Sequence, residues 1–192
     1  MTLLVTAGLA GISPAHARRL LMSFVELPEM PPPPRPGFRV PTDPNTLFYV
    51  QRSTNANTIV YAANLDARGR LDPQNPIEVF WRVFDEDGRR HGLNWIERLM
   101  AYGVYTKPAK GVPNAFDGYI VTFPEMEFRV DISESGAPEC IVQLNGHRAR
   151  LVSIYIELDE SGVWPQPRFL NIYGIDTQSG RVIREHVEPA VD

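Results

Sequence analysis

Apolar and polar positions alternate with a period of two from Thr46 onward, and that pattern predicts strands. Thr46 to Arg52 sends Leu47 and Tyr49 to one face, and Phe48, Val50 and Arg52 to the other. Thr58 to Ala63 follows a polar Ser53-Thr54-Asn55-Ala56-Asn57 turn and reads as the hairpin partner. Ile77 to Phe84 places Ile77, Val79, Trp81 and Val83 opposite Glu78, Phe80, Arg82 and Phe84. Both of its faces are partly apolar, which suits a central strand. Further runs are Tyr119 to Phe123, Glu127 to Ile132 and Glu139 to Leu144. An Asn145-Gly146 tight turn leads into Arg148 to Leu158, with Val152, Ile154, Ile156 and Leu158 on one face. Phe169 to Ile175 and Arg181 to Val187 form a last hairpin.

One stretch breaks the alternation. Trp95 to Tyr102 reads as a short helix, with Asn94 as its cap, Glu97 completing a capping box and Gly103 past its end. A helix this short is marginal in isolation, so it is expected to cover or plug the sheet. The pattern predicts a mainly β domain of about nine strands with one inserted helix. Sequential antiparallel hairpins favour a meander barrel or a strongly curved sandwich, calycin-like in outline. That likeness is one of architecture and carries no function.

Residues Phe48 to Trp81 hold most of the unusual polar positions. The set Tyr49-Val50-Gln51-Arg52-Ser53, Asn55, Asn57-Thr58-Ile59-Val60-Tyr61 and Asn64 resembles the family called domain of unknown function 4833. Pro76-Ile77-Glu78-Val79-Phe80-Trp81, Glu97-Arg98 and Ala101-Tyr102-Gly103 belong to the same likeness, which spans roughly Leu47 to Val187. The resemblance implies a domain and brings no activity or site residue with it.

The N-terminal region differs. Leu3 to Ala15 is an uncharged, mostly apolar run of 13 residues, followed by the small-x-small Ala15-His16-Ala17. It is too short to span a bilayer and matches an export signal over residues 1–17, although no Lys or Arg precedes it. This places the protein in the periplasm or outside the cell as an expectation. Residues 18–45 read as a linker, with eight prolines between Pro28 and Pro44. Proline fixes φ and lacks the N–H, so the stretch favours an extended spacer. The folded domain is expected over residues 46–192.

Charge and motifs narrow the chemistry. The net charge of −4 gives no global basic field for nucleic acid or an anionic membrane. No other run is long and apolar enough to be transmembrane. Cys140 is the single cysteine, sits beside Ile141-Val142, and reads as a buried small hydrophobe. No catalytic motif and no metal-ligand spacing is present, and no cofactor is expected. An enzyme would need two or more of Glu78, Glu97, His147 and Asp131 to converge.

Two functional readings follow. In the first, an exported, non-enzymatic module holds a small apolar or amphipathic, or anionic, ligand in its barrel. Arg52 and Arg82 would then clamp an anionic group at the mouth, because arginine suits carboxylate and phosphate bidentately. Ser53, Asn55, Asn57, Glu78, Trp81 and Tyr102 complete this candidate ligand site. The bland alternative is a Glu78–Arg82 ion pair on the outer surface. In the second reading, a scaffold or interaction protein with a filled core works through its Ser53 to Asn57 hairpin.

Overall fold

The structure is a computed structural model that describes residues 37–162 and 165–188. The expected export signal and most of the proline-rich stretch lie outside the described residues.

The chain is mainly β, and its described residues form eleven strands and one short helix. The strands are β1 (Thr46–Arg52), β2 (Asn55–Ala63), β3 (Ile77–Arg82), β4 (Arg90–Gly92), β5 (Val104–Pro108) and β6 (Phe116–Ile120). They continue as β7 (Phe123–Ile132), β8 (Pro138–Leu144), β9 (His147–Asp159), β10 (Gln166–Asp176) and β11 (Val182–Val187). The helix α1 (Trp95–Met100) lies between β4 and β5. Nine strands follow the order β4-β3-β2-β1-β9-β8-β7-β6-β5, and β10 and β11 extend from β9. The sheet curls into a half-barrel whose two ends are β4 and β5. It is the curved form of the expected architecture, and one pairing departs from the antiparallel pattern: β1 runs parallel to β9.

Strand β9 joins the two halves. Its residues from Ala149 to Asp159 pair with β10 on one edge. On the other edge it pairs first with β8, through His147 to Arg150, and then with β1, through Ser153 to Ile156. The partner changes at a bulge. Ser153 faces Tyr173 while Leu151 faces Gly174, so Val152 is the extra residue. A bulge shifts the alternation by one. Leu151 and Ile154 therefore both enter the main core, while Val152 packs with Tyr49 and Ile175 on the other side. The even alternation expected for this strand, with Val152 beside Ile154, is corrected by that bulge.

The two halves face each other across one core. The rows Phe48–Tyr61–Val79 and Val50–Ile59–Trp81 line the inner face of β1, β2 and β3. Phe48 stacks on Tyr61 with centroids 4.3 Å apart and meets Phe128 of the opposite half at 6.1 Å. Val130, Cys140, Val142, Leu144 and Leu151 complete the filling, each 2% exposed or less. Cys140 is fully buried, as its apolar neighbours suggest, and burial pushes its thiol well up.

The outer face of β1 to β3 is covered by residues 37–45. Arg39 O accepts from Gln51 Nε2 at 2.8 Å, Pro41 is buried, and Asp43 pairs with Arg82. This contact satisfies a buried polar row, Gln51–Thr58, whose members are 1% and 0% exposed. The described end of the expected linker is thus packed against the domain.

Three local expectations shift. Strands β4 and β5 are additional to the nine expected; β4 is three exposed residues and has no apolar pattern to read. The turn between β6 and β7 lies at Val121-Thr122 rather than after Phe123. It is held there by Val121 N–H donating to Gly103 O and Thr122 Oγ1 donating to Ala101 O. Finally, α1 does not plug the sheet. Its capping box is present as expected, but none of its residues is buried. It links the two open ends of the sheet, and its Trp95, Ile96, Leu99 and Met100 are 52–73% exposed.

Candidate functional site

The candidate site lies where the ends of β1 and β3 and the start of β2 meet α1. An open cleft of about 390 Å³ is lined there by Arg52, Asn57, Trp81, His91, Asn94 and Glu97, among others. Arg52 and Trp81 reach it from the inner face of the sheet. The Arg52 guanidinium lies 4.9 Å from the centre of the Trp81 ring and 5.8 Å from that of Tyr102. Its Nη1 donates to Tyr102 Oη at 2.9 Å. Trp81 and Tyr102 meet edge to face at 5.2 Å. The core fixes this group from below, because Tyr61 Oη donates to Tyr102 O at 2.9 Å. Burial, and then the nearby Tyr102, push the Tyr61 phenol far above its ordinary range, so it stays a donor.

Arg52 Nε is buried and has no hydrogen-bond partner. No carboxylate forms an ion pair with Arg52 among the described residues. Its charge is held by aromatic faces and one phenol, an arrangement that leaves a guanidinium able to receive an anion. Glu97, the acid on α1, is engaged in the cap, accepting from Asn94 N–H at 2.9 Å.

The structure brings Arg52, Asn57, Trp81 and Tyr102 together and places the other candidates elsewhere. Arg82 sits on the outer face, in the row Gln51–Thr58–Arg82. Its Nε donates to the Asp43 carboxylate at 2.9 and 3.0 Å and its Nη1 to Gly88 O at 3.1 Å. The Asp43 hydrogen bonds hold the guanidinium pKa above its ordinary value. Arg52 and Arg82 therefore cannot clamp one group, since they lie on opposite faces of the sheet. Glu78 pairs with Arg90 of β4 rather than with Arg82. Ser53 and Asn55 serve the backbone: Ser53 Oγ accepts from Leu158 N–H at 2.9 Å, and Asn55 Oδ1 from Asn57 N–H at 3.1 Å. Asn57 Oδ1 accepts from Asp85 N–H at 3.1 Å, tying the first hairpin to the turn after β3. Asp43, His91 and Asn94 were not among the candidate site residues expected from the sequence. Of these, Asn94 had the capping signal to mark its position, and the other two had none.

A second cleft, of about 580 Å³, opens on the outer face of β7, β8 and β9, lined by Asp131, Glu139, Arg148, Arg150, Asp176 and Thr177, among others. Asp131 and Glu139 stand directly opposite each other across β7 and β8. Desolvation, and then the Asp131 charge, raise the Glu139 pKa, while Arg148 and Arg150 on β9 pull it down. Arg129 on β7 is occupied by Asp117 of β6 at 2.8 Å. At the far end, His147 Nδ1 lies 3.1 Å from Asp176 Oδ2. The Asp176 carboxyl is held below its ordinary range, first by the backbone N–H groups of Ser179 and Gln178 and only weakly by His147.

A raised folded-state pKa means that the folded chain keeps the Glu139 proton after the unfolded chain has released it. That contribution to stability is present below the ordinary glutamate value of 4.5 and is lost as pH rises through the raised value. Glu139→Gln is expected to flatten this part of the pH–stability curve. At pH 7 it should stabilise the fold by about 0.5 kcal/mol, the scale of a like-charge pair across strands. Urea unfolding at a series of pH values reads this out, and a glutamine variant less stable than wild type at pH 7 would contradict it.

Among the described residues, no three His, Cys, Asp or Glu side chains are grouped to hold a metal ion. Of the four acid–base candidates, Glu78 is paired with Arg90, Glu97 caps α1, His147 meets Asp176, and Asp131 faces Glu139. No curated protein and no solved structure gives a significant match to the chain. Residues 48–186, from the first core strand to the last, match the family described as a domain of unknown function, DUF4833, and the chain belongs to that family.

Proposed function

We propose that this protein is an exported, non-enzymatic binding module whose Arg52 cleft takes the anionic head of a small amphipathic ligand. The observation that carries the reading is Arg52 itself: a half-buried guanidinium with an unpartnered Nε, stacked against Trp81 and Tyr102 at the floor of an open cleft. A buried charge without a counter-charge is costly, and an arriving carboxylate or phosphate relieves that cost. The interior of the half-barrel is filled by Phe48, Tyr61 and Phe128, so the ligand sits at the mouth rather than inside.

The test is calorimetric titration of the protein with dodecanoate below its micelle concentration, beside dodecanol and inorganic phosphate. Dodecanoate is expected to bind, and Arg52→Gln to weaken it by about 10- to 100-fold, the range for losing a hydrogen bond to a charged group. Arg70→Gln, on the far Asp66 loop, should change nothing. Equal affinity in a folded Arg52→Gln variant would sink the assignment.

The exposed apolar face of α1 favours a second reading, an interaction protein. Exposed Trp95, Ile96, Leu99 and Met100 on one short helix form the kind of patch that marks contact sites. Under that reading, charge substitutions at Leu99 and Met100 abolish partner capture and leave dodecanoate binding unchanged.

A further inference from the structure

The outer cleft is distinct from the Arg52 site in place and in charge. Its floor is the outer face of three paired strands, so its side chains are held in fixed order. Asp131 and Glu139 face each other across β7 and β8. Ile141, the next residue of β8 on that face, pairs with Arg150, and Gln143 pairs with Arg148. Asp131 and Glu139 therefore occupy one end of the cleft and Arg150 and Arg148 the other, where Asp176 also stands, already engaged by the Gln178 and Ser179 N–H groups and by His147.

The arginines act on Glu139 only at a distance. Among the described residues, no ion pair joins Asp131 or Glu139 to Arg148 or Arg150. Asp131 Oδ1 is buried and has no hydrogen-bond partner. The two carboxylates stand close enough to share a hydrogen bond and repel each other when both are charged, so a cationic group between them is favoured. A bare cation fits poorly: it would meet two carboxylates and two guanidiniums. A simple anion would meet the guanidiniums with the carboxylates behind them. A molecule carrying both charges answers both ends.

The geometry points to a binding site for a small zwitterion, with its ammonium between Asp131 and Glu139 and its carboxylate at Arg150 and Arg148. Spacing selects the class. Arg150 lies two residues along the strands from the position opposite Glu139, about 7 Å at strand rise. An α-amino acid is too short to bridge that distance, and an ω-amino carboxylate with four methylenes spans it. The ammonium offsets the repulsion between the two opposed carboxylates. The carboxylate takes the fork of Arg150, which is half-buried, and the more exposed Arg148 closes over it.

The experiment is titration of the full chain with 5-aminopentanoate, followed by amide NMR and calorimetry, with pentanoate and pentylammonium as singly charged comparators. The zwitterion is expected to bind at least about tenfold more tightly than either comparator and to shift the amides of Asp131, Glu139 and Arg150. Glu139→Gln and Arg150→Gln should each weaken it by about tenfold, while Arg52→Gln has no effect, which keeps this site separable from the one proposed above. The proposal is overturned if 5-aminopentanoate shows no saturable binding, or if a comparator binds as tightly. It is overturned equally if both variants bind unchanged. Should a variant fail to fold, the three ligands on the wild-type protein decide alone.

Discussion

Phe48→Ala lowers the unfolding free energy by about 3–5 kcal/mol, the cost of a large aromatic deleted from a tight core. Phe48 is fully buried, stacks on Tyr61 and reaches across to Phe128. It is where the two halves of the half-barrel touch, so the cavity left behind is walled by both and can collapse toward neither without opening the sheet. Domains of this size are stable by about 5–15 kcal/mol, so the variant loses a large share of that margin. Chemical denaturation measures it, and Phe48→Leu, which keeps most of the volume, should lose clearly less. A variant within about 1 kcal/mol of wild type would mean that the two halves are not held by this contact. The same substitution reaches the Arg52 site through Tyr61, whose hydroxyl holds the Tyr102 carbonyl. Ligand affinity should therefore fall with stability in this variant, and in Tyr61→Phe it should fall with little loss of packing.

Gly118→Ala has the second large effect. Gly118 is buried in β6 between Thr106 of β5 and Phe128 of β7. A Cβ there would fall on the Tyr105 carbonyl oxygen, with the Phe128 ring 3.0 Å and the Thr106 methyl 3.1 Å away. The backbone oxygen cannot turn aside as a side chain would. Strand β5 has to lift from β6, and overpacking of this kind costs about 1–3 kcal/mol. Because β5 ends the sheet path, the damage should appear first as faster hydrogen exchange of its amides and those facing it in β6. Amides of β1, β2 and β9 should keep their order of protection. Uniform loss of protection would show that β5 and the core open as one unit. Unchanged exchange in β5 would show that alanine is accommodated there without displacement.

The candidate site was legible only in part. Alternation along β1 puts Arg52 on the face of Phe48 and Val50, and that face is indeed the inner one. Alternation along β3 puts Arg82 with Glu78 and Phe80, and that face is the outer one. Nothing in either strand alone says which face of β3 continues which face of β1. That depends on register across β2, where Val50, Ile59 and Trp81 form one row and Gln51, Thr58 and Arg82 the next. A one-residue change of register between β2 and β3 would turn Arg82 to the inner face, beside Arg52. The partners were equally hidden. Asp43 meets Arg82 from a stretch rich in proline, and Arg90 meets Glu78 from a strand of three exposed residues.

By itself, the sequence determined what depends on neighbours along the chain. Period-two alternation set most of the strands, Asn94 and Glu97 set the helix start, Asn145-Gly146 set a turn, and the family signature from Tyr49 to Tyr61 marked the domain. These follow from backbone geometry and local hydrogen bonds, whose partners lie a few residues away. Tertiary structure alone decided the parallel pairing of β1 with β9 and the bulge at Val152. It also decided the open gap bridged by α1 and the meeting of Arg52 with Trp81 and Tyr102. Each of these joins residues far apart in the chain, and their energy comes from burial and pairing that exist only once the sheet has curled. The helix shows the division most clearly. Its capping box could be read in sequence because the bonds are local. Its exposed apolar face could not, because exposure depends on what the fold brings to the other side.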